Sequence, residues 1–460
     1  MSKYCSECGT EISEGSKFCP NCGVASGASS IAGNQQTPTP MIGVKPKDPE
    51  SKAMIAIKAI GATLALLFII GLLIGGVEED NPSSTPVPAT TSTVKPTTAP
   101  VVETTPVAKP TSPPPTPAPA IPEPTPTPPD VPHVEIVSTT AYPDRIPSGV
   151  YHIFPKLDVS LIDFEVTNNG ADVVEVAVSS EINGYTDEAI NREQIAPGET
   201  TTIEQTPLFK PGVLDTLTET RSANLHYKVT YLENGKETTH DEQTILVDLY
   251  AKDTMVWGVV EEGEYIDLSF FITAWVTPHV REVDELIRLA AEYHPQGTMK
   301  GYQGAETQDE QAEVSAEQVK AIYNALQNEY QITYVHSSIS YSAESDNSQR
   351  IKLPEDAMNL ASANCIDGTV LFASAIENIG MDPYIILIPG HAFVAWDIWE
   401  GSDTIDCLET TMVGSYTFEA ANEYGLQRYE REVENGNFDA GVSKLISIEE
   451  ARLIGITPMQ

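Results

Sequence analysis

The sequence predicts a multidomain protein with four structural parts: a small metal-binding module, one membrane-spanning helix, an all-β sandwich and an α+β domain. Three observations support this fold class. Two Cys-x-x-Cys pairs stand near the start of the chain, an apolar segment and a proline-rich segment follow, and the second half changes from strand alternation to helical spacing. A length of 460 residues allows two or three domains.

The N-terminal module, residues 1–26, contains two Cys-x-x-Cys pairs, each followed by glycine. Ten residues separate the pairs, a spacing that lets four thiolates surround one metal ion as a tetrahedron. The pattern predicts a zinc ribbon with a purely structural zinc ion, because a closed four-cysteine site leaves no position for a substrate. Two disulfides are the alternative, and they require an oxidising compartment. The predicted zinc ligands are Cys5, Cys8, Cys19 and Cys22.

A flexible tether of small and polar residues, 27–52, leads into an apolar segment, residues 53–77. This segment is long enough for a transmembrane helix that crosses a bilayer once. Lysines precede it and acids follow it directly, so the positive-inside rule predicts a cytoplasmic N-terminus and an extracellular remainder. A cleaved signal peptide is the alternative, but the metal-binding module precedes the apolar segment. In the membrane arrangement a partner of the zinc ribbon would be cytoplasmic.

Residues 78–132 form a segment rich in proline and threonine. Proline at this density favours an extended polyproline II stalk, which holds the following domains away from the membrane. The net charge of the chain is −40, and almost all of the excess lies beyond the apolar segment. This charge argues against nucleic acid as a partner and against anionic lipid surfaces.

Residues 133–255 contain six short runs with strand-like patterns, separated by turn residues. Asn234-Gly235 lies between two of these runs and predicts a tight hairpin turn. Strands without helices indicate an all-β sandwich of immunoglobulin-like type, here without an inter-sheet disulfide because no cysteine is present. The sequence leaves open whether this domain is a spacer or a surface that contacts carbohydrate or protein.

Residues 256–460 combine helical spacing with strand patterns, which predicts an α+β domain. Residues 280–293 have the apolar spacing of a helix. Ser315 begins a capping-box pattern, so a second helix is expected to start there. Pro354 is expected to open a short helix that leads into Cys365. Helices are thus expected before the cysteine and strands after the helix that it begins.

Cys365 and His391 are the candidate reactive groups of this domain. Cys365 begins an apolar helical pattern, and a thiol on the first turn of a helix lies at the positive end of the macrodipole, which lowers its pKa. His391 follows Gly390 at the start of a predicted strand, HAFVAWDIW, that has one wholly apolar face. A histidine held at a rigid strand start suits the role of a general base.

The next strand carries two candidate acids, Asp406 and Glu409. In an antiparallel hairpin with a three-residue loop, the numbers of paired residues add to an even sum, so Glu409 shares a strand face with His391. Asp406 then points to the other face, and in a two-residue-loop register it lies out of hydrogen-bond reach. Glu409 is therefore the predicted group that orients the imidazole.

The residues Asn364-Cys-Ile-Asp, the helix and strand that follow, Gly390-His-Ala-Phe and finally Leu408-Glu-Thr-Thr resemble the transglutaminase-like superfamily of papain-like folds. Proteins of that superfamily carry Cys, His and Asp in this order at close spacing. The resemblance implies Cys365 as the nucleophile and His391 as the base. Glu409 stands where the family usually has aspartate, a difference that keeps the charge and lengthens the side chain.

The resemblance also implies acyl transfer from an amide bond of a protein or peptide outside the cell. The backbone N–H of Cys365 and a second donor, with Gln349 as a candidate, would stabilise the oxyanion. Whether the acceptor is water or an amine stays open, so the expected enzyme is a cysteine peptidase or amidase, or a transglutaminase-type acyltransferase. Zinc belongs to the ribbon, and no cofactor is expected for catalysis.

Two alternatives compete with this interpretation. Cys365 and Cys407 are the cysteines beyond the apolar segment, and a disulfide between them would remove the nucleophile. The other alternative is a catalytically inactive surface protein for binding or adhesion, in which the sandwich and the α+β domain bind a polymer of the cell envelope.

Overall fold

The structure is a computed structural model that describes residues 3–4, 11–12, 43–45, 132–261, 264–336, 341 and 347–459. The predicted membrane segment and stalk lie outside these residues, as do the four cysteines of the predicted ribbon. Within the described ranges, no helix is both long enough and apolar enough to cross a membrane.

The secondary structure elements are numbered in chain order. The strands are β1 Lys3–Tyr4, β2 Glu11–Ile12, β3 Gly43–Val44, β4 Ile136–Ala141, β5 Arg145–Ile146, β6 Ile162–Asn168, β7 Val174–Ile182, β8 Ala189–Ile195, β9 Thr200–Gln205, β10 Arg221–Glu233, β11 Lys236–Leu249, β12 Thr254–Glu261, β13 Glu264–Asp267, β14 Thr333–Tyr334, β15 Asn347–Arg350, β16 Ser362–Ala363, β17 Pro383–Ile388, β18 His391–Asp397, β19 Thr404–Leu408 and β20 Lys444–Ser447. The α-helices are α1 Arg281–Tyr293, α2 Gln308–Asn328, α3 Pro354–Asn359, α4 Cys365–Asn378, α5 Phe418–Glu434 and α6 Ile448–Leu453.

Two β-sheets make up the part of the chain between β4 and β11. One has the strand order β4-β6-β9, and the other has the order β5-β11-β10-β7-β8. In β7 every second residue from Val174 to Ile182 is buried, because successive side chains of a strand point to opposite faces. Phe164 from the first sheet and Leu225 from the second belong to one hydrophobic core. The two sheets therefore share a core, while the immunoglobulin-like type of this region stays a prediction.

The turn between β10 and β11 has the form expected from the sequence. Glu233 pairs with Lys236, and the two residues between them, Asn234 and Gly235, have φ angles of 53° and 74°. Positive φ at both central residues is the conformation of a type I′ turn, whose twist matches the flanking strands. The six predicted runs do not include β8, because five of its residues are exposed and show no apolar alternation.

The α+β part is organised around a five-stranded antiparallel sheet with the order β20-β17-β18-β19-β3. Helix α4 covers one face, where Leu387 and Val394 share a core with Val370. Helix α5 covers the other face, where Phe393 belongs to the same cluster as Leu426. Because both faces are covered, every residue of β17 and β18 is buried.

Most helix predictions for this part agree with the structure. The helix expected over 280–293 is α1, and Pro354 occupies the first turn of α3. Cys365 is the first residue of α4, which ends before Gly380, a residue with a φ angle of 77°. The expected order of helices before the cysteine and strands after it is incomplete, because α5 and α6 follow the strands.

The predicted start of a helix at Ser315 is wrong, because α2 begins earlier. Thr307 is the N-cap of α2, and Glu310 completes a capping box with it. Ser315 lies buried inside α2, and its hydroxyl donates to the carbonyl of Ile398 at 3.0 Å. The side-chain carbonyl of Gln318 accepts from the backbone N–H of the loop before α2. Both residues of the supposed capping box are thus engaged by distant parts of the chain.

A 3₁₀ helix, Ser148–Lys156, joins the two-sheet part to the α+β part. Val150 and Ile153 on this helix belong to the same hydrophobic core as Trp275. On the same helix, Nε2 of His152 lies 3.1 Å from the carbonyl oxygen of Thr457, and the ammonium of Lys156 donates to the hydroxyl of Thr457 at 2.9 Å. Apolar burial and side-chain hydrogen bonds therefore hold the two parts together on one side.

Candidate active site

Cys365 is positioned by a capping box at the start of α4. The side chain of Asn364, the N-cap, accepts from the backbone N–H of Asp367 at 2.9 Å, and Asp367 accepts in return from the backbone N–H of Asn364 at 3.1 Å. Asp367 also accepts from the backbone N–H of Lys352 at 2.9 Å. Asp367 thus anchors the turn that carries the thiol to the segment before α3.

His391 and Glu409 are in direct contact. Nε2 of His391 lies 2.8 Å from Oε2 of Glu409, and both side chains are almost fully buried. In the β18–β19 pairing, Val394 lies opposite Leu408 and Ala395 opposite Cys407, a register with the even sum expected from the sequence. An ionised carboxylate accepts a hydrogen from Nε2, which leaves Nδ1 of the imidazole as the proton acceptor.

The thiol of Cys365 lies beside the strand that carries His391. The backbone N–H of Ala392, the residue after the histidine, donates a hydrogen bond toward the sulfur, as does the N–H of Ile366. Only 2% of Cys365 is exposed, against 6% of His391. The fold therefore brings the start of α4 and the start of β18 together, although 25 residues separate Cys365 from His391 in the sequence.

Cys365 and Cys407 are both free, buried cysteines. The disulfide that competed with the nucleophile is therefore not the arrangement in this structure. Cys407 belongs to the cluster beneath α5 and serves as a small apolar side chain there.

The protonation states differ from the expectation for a helix-start cysteine. Burial raises the pKa of the Cys365 thiol to about 12, which outweighs the hydrogen bonds of the helix start that favour the thiolate. Burial and the nearby charge of Arg428 lower the pKa of His391. The Cys365 thiol and the His391 imidazole are therefore both neutral at rest, and the expected depression of the thiol pKa is wrong.

Arg428 on α5 completes the surroundings of Glu409. Its Nη1 atom lies 2.9 Å from Oε2 of Glu409, and the backbone N–H and hydroxyl of Thr411 donate to Oε1 at 3.2 and 2.6 Å. Burial by itself would raise the pKa of Glu409, but the imidazole of His391, Arg428 and Thr411 together lower it to about 2. Sequence reasoning missed Arg428. The apolar residues around it have the spacing of a helix, but that pattern does not show that Arg428 contacts Glu409.

The other acid of β19, Asp406, belongs to a different network. Its register partner is Trp396, and its Oδ1 atom accepts from the side-chain amide of Asn422 on α5 at 2.6 Å. Burial raises the pKa of Asp406 to about 7. The hydrogen bond of Asp406 thus links β19 to α5, and this network does not include the imidazole of His391.

Gln349, the candidate second oxyanion donor, lies on β15 opposite Met255 of β12. Its role toward a substrate stays a prediction, and so does the role of the Cys365 backbone N–H. Within the described ranges, no three side chains of the His, Cys, Asp and Glu types come together so as to hold a metal ion.

Comparison with known proteins identifies the N-terminal module. The zinc-ribbon domain family matches residues 4–23, a range that contains all four predicted zinc ligands. Strands β1 and β2 are antiparallel, and the first Cys-x-x-Cys pair lies between them in the sequence, which fits such a hairpin. A comparison with curated proteins finds no match to the chain. The chain therefore carries a zinc-ribbon domain at its N-terminus, and the resemblance of residues 256–460 to the transglutaminase-like superfamily stays a prediction.

Proposed function

We propose that the protein is a membrane-anchored extracellular thiol enzyme of the transglutaminase-like superfamily. It cleaves an amide bond of a protein or peptide, or transfers its acyl group, through Cys365, His391 and Glu409. The zinc ribbon is proposed to hold a structural zinc ion, and the proline-rich stalk to hold the enzyme away from the membrane. The supporting observation is the 2.8 Å hydrogen bond between His391 and Glu409, next to a helix-start cysteine.

The proposed chemistry starts from a neutral thiol at Cys365 and a neutral imidazole at His391. As the sulfur of Cys365 forms a bond to the acyl carbon, Nδ1 of His391 accepts the thiol proton. The carbon–nitrogen bond of the substrate then breaks, and His391 returns the proton to the departing amine. Water or an amine attacks the resulting thioester, loses a proton to His391 and releases the thiol. Glu409 orients the ring and stabilises the imidazolium that forms in between.

An activated ester tests the proposal without knowledge of the natural substrate. The full chain is mixed with p-nitrophenyl acetate, p-nitrophenolate release is followed by absorbance, and acetylated residues are identified by mass spectrometry. We expect a burst of p-nitrophenolate and an acetyl group on Cys365. His391→Gln should slow acetylation about 100-fold or more, as expected for loss of a general base.

Cys407 provides the matched control, because it is also a free and buried thiol. Cys407→Ala should leave the burst unchanged, whereas Cys365→Ala should abolish it. Acetylation that is equal on both cysteines, or unchanged in His391→Gln, would show that the thiol reacts without the proposed base.

One observation favours the alternative of a non-catalytic binding or adhesion protein of the cell envelope. Cys365 is buried, and the pKa of its thiol is raised to about 12, as in a structural cysteine. This alternative predicts no acetylation of Cys365 by the ester. It also predicts that Cys365→Ala leaves binding to cell-envelope material intact.

A further inference from the structure

A continuous series of hydrogen bonds links the two-sheet part to the start of α4. Its first member is Arg350 on β15, which lies opposite Thr254 of β12. Nε of Arg350 donates to Oδ1 of Asp253 at 2.9 Å, and Nη2 donates to Oδ2 at 2.9 Å. Nη1 donates to Glu219, in the segment before β10, at 3.0 Å. Arg350 thus binds two acids that lie outside the α+β sheet.

These two acids are held by the two-sheet part. Asp253 directly follows Lys252, whose backbone N–H donates to the carbonyl of Leu217 at 2.8 Å. Leu217 is fully buried in the core that the two sheets share, and Glu219 comes two residues after it. Both acids are therefore next to a segment that this core anchors.

From β15 the series continues along the backbone to the candidate nucleophile. The backbone N–H of Ile351 donates to the carbonyl of Asp253 at 2.9 Å. The next residue, Lys352, donates its backbone N–H to Oδ1 of Asp367 at 2.9 Å, and its ammonium lies 3.3 Å from Oδ2. Asp367 is 1% exposed and completes the capping box of α4, whose first residue is Cys365. This short segment therefore joins the two-sheet part to the turn that carries the thiol.

We propose that the two-sheet part positions the nucleophile, and that Arg350 is the positioning residue through which it acts. The paired hydrogen bonds between Arg350 and Asp253 define an orientation as well as a distance, so they fix the direction in which the chain leaves β15. Lys352 and Asp367 then transmit this orientation to the helix start through contiguous contacts. The inference deepens the proposed function and rests on it.

The exposure of these groups separates positioning from folding. The side chain of Arg350 is 50% exposed and that of Asp253 is 24% exposed, and ion pairs near the surface contribute little to stability. Asp367, in contrast, is buried at the helix start. Loss of the Arg350 side chain should therefore loosen the support of Cys365 and leave the protein folded.

The reaction of the full chain with p-nitrophenyl acetate tests the proposal when the rate constant and the amplitude of the burst are measured separately. A misplaced thiol lowers the rate constant, whereas a partly unfolded sample lowers the amplitude. We expect Arg350→Met to lower the rate constant of Cys365 acetylation about tenfold with an unchanged amplitude, because small misplacements of reacting groups are costly. Arg350→Lys keeps a cation and should restore part of the rate.

A second substitution tests whether the pair acts as a unit. Asp253→Asn should slow acetylation, and adding it to Arg350→Met should slow the reaction no further, because both changes remove the same interaction. Arg192→Met is the matched control. Arg192 on β8 is 55% exposed and pairs with Glu175 of β7 at 3.6 Å, so this variant should react like the wild type.

Hydrogen exchange followed by mass spectrometry reports on the helix start without any catalysis. We expect the amide hydrogens of residues 364–368 to exchange several-fold faster in Arg350→Met than in the wild type, because local opening at the start of α4 becomes easier. The amide hydrogens of β10, in the two-sheet part, should keep their rates.

Three outcomes would overturn the proposal. The first is exchange at residues 364–368 that is the same in Arg350→Met as in the wild type. The second is an unchanged rate constant in Arg350→Met, whatever the amplitude, and the third is additive slowing by the two substitutions. A wild type that is not acetylated on Cys365, together with faster exchange in Arg350→Met, would contradict the proposed enzyme and leave the support of α4 by the two-sheet part intact.

Discussion

At the scale of single residues, Arg428 adds a fourth side chain to the predicted set of Cys365, His391 and Glu409. Arg428 neutralises Glu409 at 2.9 Å, and Glu409 in turn holds Nε2 of His391 at 2.8 Å. A carboxylate alone would stabilise the imidazolium and raise the pKa of the histidine. Burial, with the charge of Arg428 as the second cause, lowers the pKa of His391, so the ring stays neutral and able to accept a proton. We interpret Arg428 as a positioning residue that acts through Glu409.

Arg428→Met should therefore shift the pH dependence of the reaction with the ester. Removing the guanidinium leaves the charge of Glu409 unbalanced, so the pKa of His391 rises, and the acidic limb of the acetylation profile moves to higher pH by about one unit or more. The measurement is the rate of Cys365 acetylation as a function of pH.

The conservative variant separates this electrostatic effect from a structural one. Arg428→Lys keeps a cation and should restore most of the wild-type acidic limb, even though the bond geometry is poorer. A lower rate with an unchanged pH profile in Arg428→Met would mean that Arg428 only supports the fold. Thermal unfolding is needed beside it, because removal of one partner of a buried ion pair costs about 3–5 kcal/mol.

At the scale of elements, two helical glycines allow α4 and α5 to approach the segment that carries Glu409. A Cβ atom on Gly425 of α5 would lie 2.9 Å from the backbone nitrogen of Leu408 and 3.0 Å from that of Glu409. A Cβ atom on Gly368 of α4 would lie 3.0 Å from the hydroxyl of Thr410. Glycine lowers helix stability, so its presence inside both helices is explained by this close packing.

Gly425→Ala should consequently destabilise the domain and slow the acetylation of Cys365. The added methyl group meets backbone atoms of β19, and overpacking of this kind typically costs about 1–3 kcal/mol. Displacement of α5 also moves Arg428 away from Glu409. The melting temperature and the acetylation rate are both expected to fall.

The control for this substitution is Gln427→Ala, which changes an exposed side chain on the same helix. It should leave both the melting temperature and the rate close to those of the wild type. A Gly425→Ala protein that is more stable than the wild type would show that helix propensity outweighs the close approach.

Local patterns predicted the parts of the site that lie on neighbouring strands. The even-sum register joins His391 to Glu409 across a short hairpin, and the period of a strand is enough to choose Glu409 over Asp406. Arg428 could not be found this way, because its contact depends on how α5 packs on the sheet. The thiol pKa was misjudged for a related reason: a helix start is visible in sequence, but the depth of burial of Cys365 is a tertiary property. The capping pattern at Ser315 likewise failed to mark a helix start, because the Ser315 hydroxyl instead donates to the distant carbonyl of Ile398.

At the scale of the whole molecule, the predicted zinc ligands lie far in sequence from the reactive groups, although β3 within the predicted tether belongs to the sheet that carries His391. The four predicted ligands all lie within the first 26 residues, and the tether, the apolar segment and the stalk follow before residue 133. The two-sheet part and the α+β part, in contrast, share a core through the 3₁₀ helix Ser148–Lys156. Loss of zinc should therefore unfold the ribbon without affecting the rest.

Zinc removal tests this division of the molecule. Treatment of the full chain with a strong chelator should release about one zinc ion per chain, as for a four-cysteine site. The rate of Cys365 acetylation should stay within about twofold of the untreated rate, because the chemistry uses only the thiol and imidazole. Acetylation that disappears with the metal and returns when zinc is added back would contradict the separation.

The central claim is that the imidazole of His391 accepts the proton of the Cys365 thiol. The most direct measurement is the rate of Cys365 alkylation by iodoacetamide between about pH 5 and pH 11, followed by mass spectrometry in the wild type and in His391→Gln. We predict that the wild type reacts at a constant rate from near-neutral pH upward, because a neutral imidazole serves as the base. His391→Gln should react only at strongly alkaline pH, since the pKa of the isolated thiol is raised to about 12. Identical profiles for the two proteins would contradict the account.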